Sequence, residues 1–284
     1  MPIRKKYIMK KILTLILMLS ITLYATDNNI TIEDEPLSKT QKVALTNVIM
    51  GGSIIIWGFT QWEYGTEDLH SGEEGWFGKE TSNGGSDKLG HFYTNYLISR
   101  ILAPFYQDWG YTREEAALYS SLTAAFQSII VMEVGDATSP EHGFSNEDFA
   151  MDILGSIAGY LWYRYPSVAD KIDFRVEYLP DFNDLQSDFT TDYEHMKHMM
   201  AVKASGFESL ESTWAQYFEL QVGYYTRNFH HNSVFPIEER ERYFYAGIGI
   251  NLSHLLRPVM GKYATFFNYY QMPYTYISAD KEWE

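Results

Sequence analysis

From Val43 to Trp62 the chain reads Val-Ala-Leu-Thr-Asn-Val-Ile-Met-Gly-Gly-Ser-Ile-Ile-Ile-Trp-Gly-Phe-Thr-Gln-Trp, a run without a single charge. Ser38 or Thr40 stands just ahead of it, where a helix wants an N-cap, so a helix is expected from there to about Trp62. The run is long enough for a bilayer, which takes roughly 20 residues. Gly51-Gly52-Ser53 suits close packing in a core equally well. Three more helical stretches follow, at about 87–107, 113–135 and 146–164, each apolar but interrupted by Arg100, Gln127 or Asp152. A charge at the centre of a bilayer costs about 2.5–3.5 kcal/mol on insertion scales. These stretches therefore read better as a bundle with a polar interior than as isolated spans. The short connections, Asp108 to Thr112 and Ala137 to Phe144, favour antiparallel neighbours. For residues 39–165 the expectation is a mainly α fold, an antiparallel bundle of about four helices.

Ahead of the bundle, Arg4, Lys5, Lys6, Lys10 and Lys11 precede the apolar run Ile12 to Leu23, and Leu23-Tyr24-Ala25 offers a small-residue cleavage site. Residues 1–25 thus read as an export signal. Its removal takes away five basic groups and no acidic one, so the net charge goes from −15 to −20. So acidic a chain is a poor partner for nucleic-acid phosphates, which need Lys and Arg. The chain contains no cysteine, so it needs no disulfide in an oxidising compartment and offers no lipid attachment after the signal. Residues 26–38 read as a flexible acidic leader. The expected location is the periplasm or the outer membrane, with a multi-pass inner-membrane protein as the alternative. The expected partner is the envelope membrane or another envelope protein. Composition leaves the oligomeric state open.

Beyond Pro166 the pattern changes. Residues 167–190 are acidic and irregular, and Thr191 to Ser205 reads as a short helix. Tyr217 to Arg227 and Tyr243 to Leu252 alternate large and polar residues as half-buried strands do. They are expected to pair as a β-hairpin, so residues 166–284 form a C-terminal α+β extension. Two strands cannot close an outer-membrane barrel, which needs at least eight.

The chemistry-bearing residues gather at helix ends. Asp87 and His91 are four apart at the start of the second helix, Glu133 and Asp136 three apart at the end of the third. Asp148 and Asp152 are four apart at the start of the fourth. In an up-and-down bundle Asp87, Lys88, His91, Glu133, Asp136, Asp148 and Asp152 share one end. Carboxylates converging in a low dielectric must protonate, bind a cation or point apart. One reading makes Asp87, His91, Glu133, Asp136, Asp148 and Asp152 ligands of a divalent metal. It can also make His91, Glu133 and Asp136 acid–base groups, with Lys88 receiving an anion. The plainer reading makes Ser86 and Ser145 helix caps and leaves the acidic groups to complement helix dipoles. Glu133 and Asp136 resist it, since carboxylates at a helix C-terminus oppose the dipole and need a partner. Glu194-His195-x-x-His198 and His230-His231 are weaker ligand candidates, lacking a fixed third ligand.

Taken together, Asp87-Lys88-x-x-His91-Phe92, Glu133-x-x-Asp136 and Gly143-Phe144-Ser145-x-x-Asp148-x-x-x-Asp152-x-x-Gly155 resemble the YfiM-like family of predicted periplasmic lipoproteins, a domain of unknown function. More distantly, the pattern is similar to the membrane-embedded VanZ-like family. Here Asp136 replaces that family's Gln and Asp152 its Asn, and its Arg ahead of the fourth helix is missing. The resemblance covers about residues 40–165 and implies an envelope protein. Two roles follow as expectations: a membrane-associated structural or interaction protein, or an enzyme or lipid-handling protein acting on an envelope lipid or cell-wall precursor.

Overall fold

The computed structural model describes residues 36–284 except 73, 141, 181–189 and 230–235. The expected export signal, residues 26–35 of the leader and the His230-His231 pair lie outside the described residues. By contact density the chain divides into two compact units, residues up to 73 with 126–145, and 74–125 with 146–284.

In the first unit, α1 (Lys39–Gln61) begins at Ser38, whose side chain accepts from the Gln41 amide while the Gln41 side chain accepts from the Ser38 amide. This reciprocal capping box satisfies two of the helix's orphan donors. The helix packs on a π-helical stretch, Phe126–Met132, through Gln127, whose Nε2 donates to Asn47 at 3.1 Å. Leu45, Ile49 and Ile56 remain exposed. After α1 the chain turns back through Tyr64, a buried ring lying against Gly58 and Gly135.

The second unit holds α2 (Ser86–Asp108), α3 (Arg113–Ala125) and α5 (Asn146–Arg164), which pack on one another. Gly155 of α5 lies against the Phe92 carbonyl and Gly159 against Ser99, so a Cβ at either place would collide with α2. The expected four-helix bundle is not found as such. Three helices pack together here, while α1 sits on residues 126–136 in the other unit. The continuous helix expected at 113–135 is α3 followed by the π-helical stretch and the single turn α4 (Glu133–Asp136).

After the short helix α6 (Pro166–Ala169) comes a five-stranded antiparallel sheet whose strands neighbour one another in chain order. They are β1 (Ile172–Tyr178), β2 (Met196–Lys203), β3 (Phe218–Arg227), β4 (Glu241–Ile250) and β5 (Tyr276–Glu282). The expected hairpin is β3–β4, in register with Tyr225 opposite Tyr243. It is the centre of a larger sheet than the hairpin foreseen. The helix expected at 191–205 is β2 entered through a 3₁₀ turn at Tyr193–His195, and the stretch taken as irregular contains β1. Tertiary pairing outweighs local propensity there: Met199 and Met200 find cross-strand partners in Arg175 and Phe174.

The two faces of the sheet differ. One presents Phe174, His198, Met200, Val222, Phe244 and Ala246. Phe174 packs edge-on against Phe92 and Tyr96 of α2, at 4.9 and 5.3 Å between ring centres. The other carries buried polar groups. Arg175 donates to both oxygens of Glu219 at 2.6 and 2.9 Å and to Asp173 at 3.1 Å, and Lys203 pairs with Asp173 at 2.8 Å. Gln271 and Gln221 complete that network, so the buried charges are paired and hydrogen-bonded as burial requires.

Candidate functional site

The first turn of α2 makes the site. Gly85 holds the N-cap position with φ of +85° and a Cβ there would strike Phe77, so glycine is the residue that lets the chain enter α2 at this angle. Ser86 therefore stands inside the first turn rather than capping it. This places Lys88, almost wholly buried, at the centre of three carboxylates. Its Nζ lies 2.8 Å from Asp87 Oδ2 and 3.0 Å from Asp148 Oδ2, and it pairs with Glu74. One turn on, His91 Nδ1 lies 3.0 Å from Asp152 Oδ1, with Nε2 3.8 Å from Asp148 Oδ1. Asp152 Oδ1 also accepts from Asn95 Nδ2 at 2.7 Å, and Ser156 donates to Asn95 Oδ1 at 3.1 Å.

Two helix faces thus meet in one polar seam, Asp87-His91-Asn95-Ser99 on α2 against Asp148-Asp152-Ser156 on α5. Each series steps by four residues, the spacing that keeps side chains on one face of a helix. Asp87, Lys88, His91, Asp148 and Asp152 come together as the sequence suggests. Glu74, Asn95 and Ser156 are members that the motif reading did not name. The last two were legible as continuations of the four-residue steps. Glu74 sits in a Gly- and acid-rich loop with no periodicity, and only the fold reveals it.

The charges of this cluster do not balance. Burial, together with the Asp148 carboxylate beside it, pushes the Glu74 carboxyl above its usual range. The carboxylate oxygens of Glu74, Asp87 and Asp148 lie within 4.8 Å of one another, close enough to share a cation. Lys88 already contacts all three, so its ammonium stands where a metal's charge would act.

Glu133 and Asp136 belong to the first unit. Glu133 is buried and its Oε2 accepts from the Ser145 amide at 3.2 Å. Asp136 accepts from the Tyr64 hydroxyl, and burial followed by Asp136's charge holds that phenol well above its usual range. Of the weaker candidates, His195 Nδ1 pairs with Asp192 Oδ1 at 2.8 Å. His198 is no helical neighbour of His195, because it lies in β2, buried.

The loop, α2, α3 and α5 that build the seam fall in one recognisable segment. Residues 73–164 match the DUF2279 family. Its description is "predicted periplasmic lipoprotein", which agrees with an exported envelope protein and assigns no role. The DUF2279 match holds every member of the Lys88–His91 cluster as well as Glu133 and Asp136, and stops before the sheet. No curated protein and no solved structure matches the chain.

Proposed function

We propose that this exported envelope protein is membrane-associated and serves a structural or interaction role, its helices facing lipid around a polar seam. One observation carries the reading: the polarity of the helices in the second unit is inverted. Asn95, Ser99, Ser120, Ser121, Thr123, Asp152 and Ser156 are buried, while Ile101, Phe105, Leu118, Leu122, Ile157 and Leu161 are exposed. Helices of a water-soluble domain place these classes the other way round. In lipid, apolar side chains face outward at no cost and buried polar groups find partners across helices. Two helical stretches, Lys39–Gln61 and Arg113–Asp136, are long and apolar enough to cross a bilayer, and only 11% of the first one's most apolar window is buried. The Lys88 cluster then acts as an ionic clasp between α2 and α5.

Alkaline carbonate extraction of membranes from cells expressing the full chain tests this. The protein is expected to stay in the pellet; release into the supernatant overturns the reading. His91 supports a second reading, as an acid–base group oriented by Asp152 in an enzyme of envelope lipids or cell-wall precursors. A His91→Gln variant that folds and stays in the membrane, yet fails to reverse an envelope defect of cells lacking the protein, would favour it. Full complementation would set it aside.

A further inference from the structure

Within the second unit, α2, α5 and the apolar face of the sheet line an open cavity of about 860 Å³. Phe92, Met151, Met200, Val222 and Phe244 are among the side chains that line it. Pockets of roughly 300–1,000 Å³ with apolar walls and a few fixed polar groups are the usual small-molecule sites of proteins. Two polar groups meet that description. His198 is only 6% exposed and lines the cavity, while its Nδ1, itself wholly buried, has no hydrogen-bond partner among the described residues. Lys281, exposed on β5 and in register with Phe244, lines the same space. A wholly buried nitrogen without a partner is costly and keeps the ring neutral, and what a ligand can meet is the part of the imidazole that lines the cavity.

We propose that this cavity binds the acyl chain of a lipid, the hydrocarbon lying against the methionine and phenylalanine side chains, with His198 meeting a carbonyl or carboxyl oxygen and Lys281 an anionic head. An acyl chain is the occupant because the walls offer no pattern of donors and acceptors for a polar ligand, while the two polar groups suit one oxygen-bearing, negatively charged end. Burial lowers the His198 imidazole to about 4 from its ordinary 6.5, so at neutral pH it is uncharged and meets the oxygen as a hydrogen-bond donor through its N–H. The proposal rests on the membrane reading only for the supply of ligand.

The test is photolabelling of the full chain in native membranes with palmitic acid carrying a diazirine on its tail, followed by mass-spectrometric mapping. Label is expected on Met200 and Val222 and should fall at least tenfold under excess oleate, because a cavity saturates. Label on exposed Leu118 and Leu122 reports lipid contact at the helices and should not saturate. A Val222→Trp variant, which fills the cavity, should lose the Met200 label. His198→Leu should weaken oleate competition about tenfold, the scale of one lost hydrogen bond. A parallel arm uses phosphatidylglycerol with the same diazirine tail. Saturable labelling from the fatty acid, the phospholipid or both supports the site and identifies the source of the chain. Helix label without saturable cavity label from either probe overturns the proposal and leaves the membrane reading standing. Cavity label without helix label does the reverse.

Discussion

Replacing His198 by leucine should change how the protein responds to acid. In the folded chain burial holds this imidazole near 4, against 6.5 when exposed. A base with a depressed folded-state pKa contributes stability that is fully present above about 6.5. That contribution is lost as the pH falls from there toward 4, because the unfolded chain takes up a proton that the folded chain refuses. One pKa unit is worth 1.36 kcal/mol, so the full effect is about 3 kcal/mol, and two to three of these are lost between pH 7.5 and 4.5. For a chain of this size that corresponds to a fall of about 5–10 °C in Tm. The leucine variant removes the titration and the unpartnered nitrogen together. It should match or exceed the wild type at pH 7.5 and lose correspondingly less on acidification. Seven tryptophans allow thermal unfolding to be followed by intrinsic fluorescence in detergent at both pH values. Other groups titrate over this range too, so the quantity that matters is the difference between the two proteins' shifts. Parallel pH profiles for wild type and variant would refute the assignment of a buried, neutral His198.

Lys88→Met should destabilise by about 3–5 kcal/mol, because it leaves Asp87, Asp148 and Glu74 without their cation. Millimolar calcium should recover part of that loss in the variant and leave the wild-type melting curve unmoved. Gly155→Leu should separate α2 from α5, since the added side chain meets the Phe92 carbonyl rather than a yielding side chain; a loss of 3 kcal/mol or more, or no folded protein at all, is expected in the same melts. Leu122→Arg puts a charge on an exposed apolar position, and at an insertion cost of about 2.5–3.5 kcal/mol it should shift the protein toward the carbonate-extractable fraction. The same substitution at an exposed site of a water-soluble domain would be neutral, so wild-type behaviour in the pellet counts against lipid contact.

The helices were largely legible because their signals are local: the Ser38 cap, the charge-free run after Val43, and the Asp87/His91 and Asp148/Asp152 steps. Gly155 and Gly159, four apart in α5, are where the structure brings α2 closest, against Phe92 and Ser99. The sheet was only half legible. β3 and β4 alternate cleanly, whereas Met196 to Lys203 carries Met, Ala and Lys, residues as content in a helix as in a strand, and its state is decided by β1 and β3 on either side. The buried charge network is invisible to pattern reading for a related reason. Arg175 finds Glu219 across β2, with which both their strands pair, a meeting that no spacing along the chain records. The spacing of His195 and His198 suits a helix, and the strand that holds His198 makes it a cavity wall instead.

The order of the five strands has a consequence for assembly after export. Each strand pairs with the one made just before it, so the sheet can grow outward as successive segments emerge, with no early strand waiting for a distant late partner. Such a topology keeps loop-closure costs low and folding fast for a β structure. Without cysteines there is no oxidative step to wait for. A chain delivered unfolded to the far side of a membrane can therefore complete this sheet at the pace of its own delivery.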